Sequence, residues 1–501
     1  MPPSSRLGSF LDSRSAIALI LLVVALVARA QTFGNPVIGF DEQFYLLVGD
    51  RMLHGAVPYV DIFDRKPIGL FLIFAAARAL GGDGFLQYKL VALAFVVATA
   101  LLIHGISRAS AGRVAAIVAA ALYILWLNFM EGEGGQSPVF YNLPMVAAAA
   151  LVLSVRRGDD PLRIGAGAML LVGIALQIKY SVIVEGVVFG CWLIALGWNA
   201  GRRGWRLAGA IAAWVSLALM PTLVALAAYA AIGQAQPFIF ANFLSALAQG
   251  RAGMATQLEG LATILGILAL PLLLALSGRR RGRDDRFLLA WLAASTAGML
   301  LYWRFASPHY AMPLLPSLMC LVARSIDAGH RRRSVGLALA AVGLVGGEAV
   351  LAFSAMHKGG AQAAAAVARA ARVEGDGCIY VYDGYPALYM LTRSCLPTRW
   401  PFPGHLATQE ESRAAALGID PAREVRRILA THPVAIIDDL PHFSGGNPVT
   451  RRILARALAA DYVLAARVCT GPARMRLVYR RRTEGRPPLP PSATGAHACV
   501  S

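Results

Sequence analysis

Charged residues of both signs concentrate in one short segment of an otherwise apolar chain, "GFDEQFYLLVGDRMLHGAVPYVDIFDRKPIGLF" at positions 39 to 71. Its charged side chains with candidate chemistry are Asp41, Glu42, Asp61, Asp64, Arg65 and Lys66. A carboxylate can take a proton from a hydroxyl, and a neighbouring cation can receive the negative charge of a leaving group. The segment therefore carries the residue types for a group transfer onto a hydroxyl, with an anion such as a phosphate leaving.

Apolar spacing predicts two short helices that position these residues. The first has its apolar residues at helical intervals, at Phe40, Phe44, Leu47, Val48 and Met52. This spacing predicts an amphipathic helix on a membrane surface that begins at Asp41 and Glu42. The second helix begins at Pro67, directly after Lys66. Capping of a helix start is the alternative role for both acids of the first helix.

Composition predicts a membrane protein. The chain has 501 residues, of which 57% are hydrophobic and only 15% charged, and its mean hydropathy is +0.58. A soluble globule carries fewer apolar and more charged residues, so we predict a polytopic membrane protein. The net charge of +19 comes from short arginine clusters between apolar runs, as in cytoplasmic loops, which argues against a nucleic-acid partner. The six cysteines show no CxxC or zinc-type spacing, so a structural metal cluster is not expected.

About eleven apolar runs approach the ~20 residues that are needed to span a bilayer. They lie at about 16–31, 87–107, 112–130, 139–155, 163–179, 181–198, 206–231, 259–277, 286–303, 309–325 and 334–353. The first run is a retained anchor or a signal peptide that ends at Ala28-Arg29-Ala30.

One further run, residues 67 to 80, decides the topology. It is short, carries Arg78 and stops at Gly81-Gly82. If it does not cross, arginine clusters such as "SRASAGR" and "SGRRRGRDDR" all fall on the cytoplasmic side, as the positive-inside rule requires. We therefore predict that this run is a helix lying in the interface, that the N-terminus is cytoplasmic, and that residues from about 354 onward lie outside.

The positive-inside rule does not explain the basic residues on the predicted outer side. The four lysines of the chain all fall on or near that side, while the cytoplasmic clusters use arginine. Contact with lipid headgroups explains any one of them, but together they indicate a site for an anionic group. The candidate phosphate-binding residues are Arg65, Lys66, Lys89, Lys179, Arg304 and His309.

The C-terminal part changes character. In residues 354 to 483, "CIYVY" and "PVAIIDD" predict short buried strands, and "AREVRRILA" and "RRILARALAADY" predict amphipathic helices. This indicates a small α/β domain that follows a membrane module at 1 to 353, whose first outer loop is 32 to 86. A disulfide between Cys378 and Cys395 is expected in an oxidising outer compartment, with Cys469 as a competing partner. The Pro-rich residues 484 to 501 are predicted to be disordered.

The first loop resembles that of the GT-C membrane glycosyltransferases. It has Asp41-Glu42, then Tyr45 in a short helix, then an acidic group and Lys66-Pro67 opening an interfacial helix. The similarity is to the bacterial branch with the lipid A aminoarabinose transferases, the rhizobial galacturonosyltransferases and, more distantly, the protein O-mannosyltransferases. "GIALQIKYS", "SPHYAMPLLP" and "DGYPALYMLTRSCLPTRW" are similar to further segments of the family. The resemblance implies an all-α polytopic membrane protein of GT-C type in a bacterial inner membrane, with a small periplasmic α/β domain at the C-terminus.

The resemblance also implies roles for individual residues. The family's proposed base corresponds to Asp41, and its phosphate-contacting lysine corresponds to Lys66. Aminoarabinose transferases have Glu directly before that lysine, whereas Arg65 stands here and Asp64 lies one residue earlier. Glu42 and Asp64 are kept as further catalytic candidates, and it stays open whether Asp41 and Asp64 hold a divalent cation.

Three residues are candidates for lining the substrate, namely Tyr45, Glu131 and Tyr310. Glu131 belongs to "MEGEGGQSPVFYN", where family members often have an acidic or amide residue, and a solvated turn is the alternative.

These features predict a glycosyltransferase that moves a hexose or pentose from a polyprenyl-phosphate donor to a hydroxyl of a cell-envelope glycan, lipid or protein. Asp41 is the predicted general base, and Lys66 with Arg65 stabilises the lipid phosphate that leaves. A lipid-linked-sugar flippase or transporter is the alternative. Transporters usually show internal repeats and ionisable residues at the membrane midplane, whereas here no repeat is evident and the ionisable residues sit at the ends of the runs.

Overall fold

The computed structural model describes residues 13–156, 159–278, 282–372, 377–482 and Cys499. Helices make up most of this part of the chain, and a four-stranded sheet lies near its C-terminal end. The tail that the sequence predicts to be disordered, residues 484–501, lies outside the described residues except for Cys499.

The helices up to Ala231 are α1 (Arg14–Arg29), α2 (Phe40–Leu53), α3 (Ile68–Ala79), α4 (Phe85–Arg108), α5 (Arg113–Trp126), α6 (Ser137–Ser154), α7 (Pro161–Leu176), α8 (Ile183–Asn199) and α9 (Gly204–Ala231). Those that follow are α10 (Ala235–Ile239), α11 (Ser245–Ala248), α12 (Met254–Ser277), α13 (Arg283–Tyr302), α14 (Leu314–Ile326), α15 (His330–Lys358), α16 (Ala361–Ala371), α17 (Leu388–Leu391), α18 (Pro403–Ala407), α19 (Ala414–Leu417), α20 (Pro421–Ala430) and α21 (Pro448–Asp461). Short 3-10 turns lie at Ala30–Thr32, Leu127–Met130, Tyr180–Val182 and Pro308–Ala311, and a π-helical turn lies at Phe240–Leu244.

In the described part of the chain, eight helical segments are long and apolar enough to cross a membrane. They are Arg14–Thr32, Phe85–Arg108, Arg113–Met130, Ser137–Ser154, Tyr180–Asn199, Gly204–Ala231, Met254–Ser277 and His330–Ala371. The runs predicted at 163–179, 286–303 and 309–325 correspond to α7, α13 and α14. Because α7 and α14 are shorter and α13 begins with charged residues, the number of eleven crossings stays a prediction.

Helix α3 corresponds to the run whose placement decides the topology. It has 12 residues, so it is about 18 Å long at a rise of 1.5 Å per residue. The hydrocarbon core of a bilayer is about 30 Å thick. The helix is therefore too short to cross by itself, which agrees with an interfacial position. Pro67 is its N-cap residue, directly before the first helical residue, Ile68.

The chain forms two compact units, and each draws on separate parts of the sequence. The first unit contains the residues up to Thr32, Lys89–Ala225 and Ala252–Leu351; the second contains Phe33–Tyr88, Leu226–Arg251 and the residues from Ala352 onward. In the first unit α14 packs against α5, α12 and α13, and nearly all of its side chains are buried. A helix that is apolar on all sides is stable in such a position, inside a bundle of other helices.

Helices α2 and α3 form a tight hairpin in the second unit. Gly49 of α2 lies so close to α3 that an added Cβ atom would stand 2.6 Å from the backbone nitrogen of Ala75. The sequence predicted a half-exposed surface helix for α2, but the side chains from Glu42 to Asp50 are buried on all faces. The reason is that α3 covers one side, while Phe402 and residues near it cover another.

The sheet of the second unit has the strand order β1 (Ile379–Val381), β2 (Ala435–Leu440), β4 (Arg474–Arg481), β3 (Tyr462–Gly471). Strands β1 and β2 run parallel, with Ile379 opposite Ala435, and the other neighbours are antiparallel. Strands β1 and β2 and helices α20 and α21 match the predicted elements, whereas the hairpin of β3 and β4 was not predicted. Helix α16 packs on that hairpin.

Two disulfides lie in the second unit. Cys378 is joined to Cys395, which links the start of β1 to the loop after α17. Cys469, which the sequence left as a competing partner, is joined to Cys499. The cysteines of the membrane module, Cys191 and Cys320, are free.

Candidate active site

The loop before α3 holds the backbone of Lys66 in place. Tyr59 is fully buried and has a left-handed backbone conformation, with φ at 67°. Its hydroxyl donates a hydrogen bond to the Lys66 carbonyl at 2.7 Å, and its own carbonyl accepts one from Arg399 at 2.9 Å. The Phe63 amide donates to the Arg399 carbonyl at 2.7 Å. Residues near 399 therefore support the loop that carries the candidate phosphate ligand.

Asp41 and Lys66 both lie close to the side chain of Tyr45. The Tyr45 hydroxyl donates to Asp41 Oδ2 at 3.2 Å, one helical turn away, and the Lys66 ammonium stands 5.6 Å from the Tyr45 ring centroid. The edge of the ring packs on Phe74. Burial, reinforced by the charge of Asp41, raises the pKa of the Tyr45 phenol well above its usual value. Tyr45 therefore stays protonated and orients the Asp41 carboxylate as a hydrogen-bond donor.

Glu42 lies at the start of α2 rather than beside Tyr45. Its side chain is fully buried, and its carboxyl carbon stands 2.6 Å from the position that a Cβ atom on Gly39 would take. Gly39 is the N-cap residue with φ at 74°, a conformation that favours glycine. A glutamate three residues after the N-cap is at the capping-box position. Both the capping role and the catalytic role of Glu42 stay predictions.

Asp64 is buried at the other end of the loop. Its Oδ1 accepts a hydrogen bond from the Arg65 amide at 2.5 Å, and its exposed fraction is 8%. Burial raises the pKa of the Asp64 carboxyl above its usual 3.8, although the nearby charge of Lys66 opposes this; Asp41 acts in the same direction as burial. Among the described residues, no three or more His, Cys, Asp or Glu side chains gather as a metal site would require. Metal binding by Asp41 and Asp64 stays a prediction.

The Arg65 guanidinium is used within the second unit. It forms an ion pair with the Glu411 carboxylate, and its Nε donates to Ser245 Oγ at 2.8 Å. A second guanidinium nitrogen donates to the Glu411 carbonyl at 3.3 Å, and only 8% of the side chain is exposed. Ser245 and Gln249 donate in turn to Ala416 and Glu411. Arg65 thus joins α11 and the loop near residue 411 to the loop that carries Lys66.

His405 is a site neighbour that the sequence did not single out. Its ring lies among Phe44, Phe63 and Phe402, with centroid distances of 6.1, 5.3 and 5.1 Å. Burial, helped by the positive charges of Arg65 and then Lys66, lowers the pKa of His405 well below its usual value, so the ring is neutral. His405 ends the segment "RWPFPGH", which is rich in aromatic and proline residues, and nothing in that sequence indicates proximity to Lys66.

The first unit assembles a second group of the predicted residues. The Lys179 ammonium stands 4.1 Å from the ring centroid of Tyr310 and 5.8 Å from that of Tyr302, and the two rings stack at 5.1 Å. Lys179 is 5% exposed. A buried ammonium over two aromatic faces is stabilised by cation–π attraction.

Glu131 and His309 form a polar pair in the first unit. His309 Nδ1 lies 2.8 Å from Glu131 Oε2, and the His309 ring contacts the Tyr310 ring at 4.4 Å. Glu131 has φ at 56°, a strained conformation for a residue other than glycine. The buried Arg29 stabilises the loop that carries Glu131, because its guanidinium donates to the Gly132 carbonyl at 2.7 Å and to the Gly134 carbonyl. The sequence had placed Arg29 only in the first apolar run.

The remaining predicted cations have other surroundings. Lys89 is 1% exposed, and its ammonium donates to the Thr32 carbonyl at 2.6 Å within the first unit. Arg304 is half-buried in the loop after α13, where the next residue, Phe305, donates its amide to Gln257 Oε1 at 2.7 Å.

Neither a protein-family model nor a curated protein sequence matches this chain. Solved structures do match. The crystal structure of ArnT from Cupriavidus metallidurans bound to undecaprenyl phosphate superposes with a TM-score of 0.60 at 15% identity, covering 93% of this chain and 98% of that one. The apo state of the same protein gives a TM-score of 0.61 at 15% identity, with 92% and 97% covered. The apo oligosaccharyltransferase of Archaeoglobus fulgidus gives 0.47 at 11% identity, with 85% and 69% covered. The chain therefore has the GT-C membrane-protein fold that the first loop led us to expect.

Proposed function

We propose that this protein is a glycosyltransferase that moves a sugar from a polyprenyl-phosphate donor to a hydroxyl group of a cell-envelope acceptor on the periplasmic side of a bacterial inner membrane. The observation that carries the proposal is the placement of both Asp41 and Lys66 beside Tyr45. A base and a cation beside one buried phenol suit a reaction in which a hydroxyl loses a proton as a phosphate leaves.

In this reaction Asp41 accepts the proton of the acceptor hydroxyl while the hydroxyl oxygen forms a bond to the anomeric carbon of the sugar. The bond between that carbon and the phosphate oxygen breaks, and its electron pair stays on the phosphate. The Lys66 ammonium stabilises the charge that develops there. Tyr45 orients Asp41 through its hydrogen bond. Arg65 acts as a positioning residue, because its guanidinium is engaged by Glu411 and Ser245.

Two further observations support the proposal. The fold is shared, across most of both chains, with ArnT of Cupriavidus metallidurans, which was crystallised with undecaprenyl phosphate. The first unit also presents the Lys179 ammonium over the rings of Tyr310 and Tyr302, as would suit the binding of an anionic group beside a sugar. Lys179 and His309 stay proposed phosphate-binding residues of the first unit.

The test is complementation of a deletion strain, followed by profiling of its envelope glycans. Asp41→Asn removes the base, and we expect a loss of sugar transfer of at least about 100-fold, within the usual range for general-base catalysis. Lys66→Ala removes the cation, and we expect a loss of about 10²- to 10³-fold, as for a lost donor to a developing oxyanion.

Two matched variants control for non-specific effects. Asp461→Asn changes an exposed acid of the same unit, and Lys358→Ala changes an exposed lysine of that unit; both should restore the glycan fully. Full restoration by Asp41→Asn and Lys66→Ala, at normal membrane insertion, would overturn the assignment of these residues.

A further inference from the structure

A basic cavity lies in the second unit, at the far end of α2 from Asp41. Its volume is about 620 Å³. The charged residues that line it are Asp50, Arg51, Arg78, Asp83, Arg372 and Arg393. Asp50 follows Asp41 by nine residues on the same helix, which corresponds to about 14 Å at 1.5 Å per residue. This cavity is therefore separate from the proposed site of transfer.

Both carboxylates of the cavity are already engaged by groups of the protein. Asp50 Oδ1 accepts a hydrogen bond from Arg78 Nε at 2.8 Å, and its other oxygen lies 3.8 Å from Arg51. Asp83 Oδ1 accepts from the Phe85 amide at 3.0 Å and so caps the start of α4. Four arginines and two carboxylates line the cavity, so the described lining carries an excess of positive charge. An anion is the complementary ligand.

Arg372 and Arg393 supply the excess charge from the C-terminal part of the unit. Arg372 follows α16 and donates to the Leu391 carbonyl at 2.7 Å. Arg393 is exposed and has φ at 58°, a conformation that residues with a Cβ atom rarely adopt. The described residues offer its guanidinium no ion-pair partner.

The loop that carries Arg393 is anchored on its C-terminal side. Cys395 is joined by a disulfide to Cys378, and Ser394 Oγ accepts a hydrogen bond from the Ile379 amide at 2.8 Å. The Ser394 carbonyl accepts from Arg51 at 2.7 Å, which ties the loop to the end of α2. The unusual backbone at Arg393 is thus built into the fold, and the guanidinium groups are brought together before any ligand arrives.

Exposed leucines lie within two residues, along the chain, of residues that line this cavity. Phe85 lines it and is the first residue of α4, a candidate membrane span. Leu53, Leu80 and Leu86 are respectively 50%, 69% and 43% exposed next to it in the sequence. Leu86 lies at the end of a candidate span, the level at which lipid headgroups meet acyl chains.

We propose that this cavity binds the phosphate of a membrane-lipid headgroup. Guanidinium groups match the geometry of phosphate oxygens and bind them with paired hydrogen bonds. The exposed leucines fit the apolar chains that such a phosphate carries in a membrane. This binding function goes beyond the proposed transfer reaction and is measured without it.

The experiment uses the full-length protein in lipid nanodiscs and native mass spectrometry of the protein released from them. The probes are phosphatidylglycerol against phosphatidylcholine, whose headgroup carries no net charge, and inorganic phosphate in solution. The variant is Arg372→Gln/Arg393→Gln. Arg369→Gln is the matched control, because Arg369 is an exposed arginine of α16 that does not line the cavity.

We expect the double variant to bind phosphatidylglycerol at least about tenfold more weakly than the unaltered protein, the effect of losing one or more charge-assisted hydrogen bonds. The Arg369→Gln protein should bind as the unaltered protein does. If inorganic phosphate displaces phosphatidylglycerol from the unaltered protein, the cavity recognises the phosphate group alone. If inorganic phosphate does not displace the bound lipid, the cavity recognises the whole headgroup. Equal binding by the double variant and the Arg369→Gln protein, for both probes, would overturn the proposal.

Discussion

Replacing Arg65 with glutamine removes a guanidinium that joins three segments of the second unit. It pairs with Glu411, which is 346 residues away in sequence, and donates to Ser245 Oγ at 2.8 Å. The exposed fractions of the Arg65 and Glu411 side chains are 8% and 20%. Removing either partner leaves the other charge largely buried without its counterion.

The expected cost follows from this burial. Breaking a buried ion pair by removing one partner costs about 3–5 kcal/mol, and we expect Arg65→Gln to fall near the lower end because Glu411 is partly exposed. For a unit of this size, about 2–4 °C of unfolding midpoint corresponds to each kcal/mol, so the shift should be at least about 6 °C. The double variant Arg65→Gln/Glu411→Gln should lose at least about 1.5 kcal/mol less than the sum of the two single variants, since contacting charges couple strongly.

The assay is a double-mutant cycle on thermal unfolding in detergent. The matched control is the pair Arg202 and Asp160 of the first unit, whose Asp160 side chain is 56% exposed. For that surface pair we expect a coupling energy of about 0.2–1 kcal/mol. A coupling between Arg65 and Glu411 as small as that of the control would refute the reasoning that this pair is a buried anchor of the loop before Lys66.

Two other predictions concern single residues of the second unit. Burial, with the charge of Asp439, raises the pKa of Asp383 from its usual 3.8 to about 6. The folded state therefore binds this proton more tightly than the unfolded state, and stability falls as the pH rises from about 4 to about 6. Asp383→Asn should raise the thermal midpoint at pH 7.5, by up to about 3 kcal/mol in stability, and leave it unchanged at pH 4; the opposite pH dependence would contradict the assignment. Gly49→Ala places a Cβ atom 2.6 Å from the Ala75 nitrogen, and it should cost about 1–3 kcal/mol by overpacking. Gly105→Ala, in a helix position with open space, should be neutral or stabilising, and equal midpoints for the two alanine variants would show that the hairpin has room.

Local patterns were sufficient where a single segment decides its own structure. Runs of apolar residues located the long helices within a few residues of their observed ends, because burial in lipid depends on the length and polarity of the run itself. Strands β1 and β2 were recognised as short buried apolar runs. The hairpin of β3 and β4 was missed because β4 is rich in arginine and neither strand alternates strongly. Its stability comes from the two strands pairing with each other and from β4 pairing with β2.

The candidate site shows the same division at the level of side chains. Asp41 and Lys66 were predicted as site residues because a base and a cation close together in sequence are chemically informative by themselves. Their joint placement at Tyr45 depends on the packing of α2 against α3. His405 carried no such signal, since its position between Phe44 and Phe63 depends on contacts between segments more than 300 residues apart.

Composition and apolar run length alone establish a polytopic membrane protein, and the acids and lysine of the first loop alone identify where chemistry is expected. Each of these properties is carried by one stretch of chain and its interaction with lipid or water. The burial of α2, the engagement of Arg65 by Glu411 and the gathering of four arginines around one cavity depend on which distant segments meet. Only tertiary structure decides those contacts, because the free energy of a buried charge is set by its partners in space and not by its neighbours in sequence.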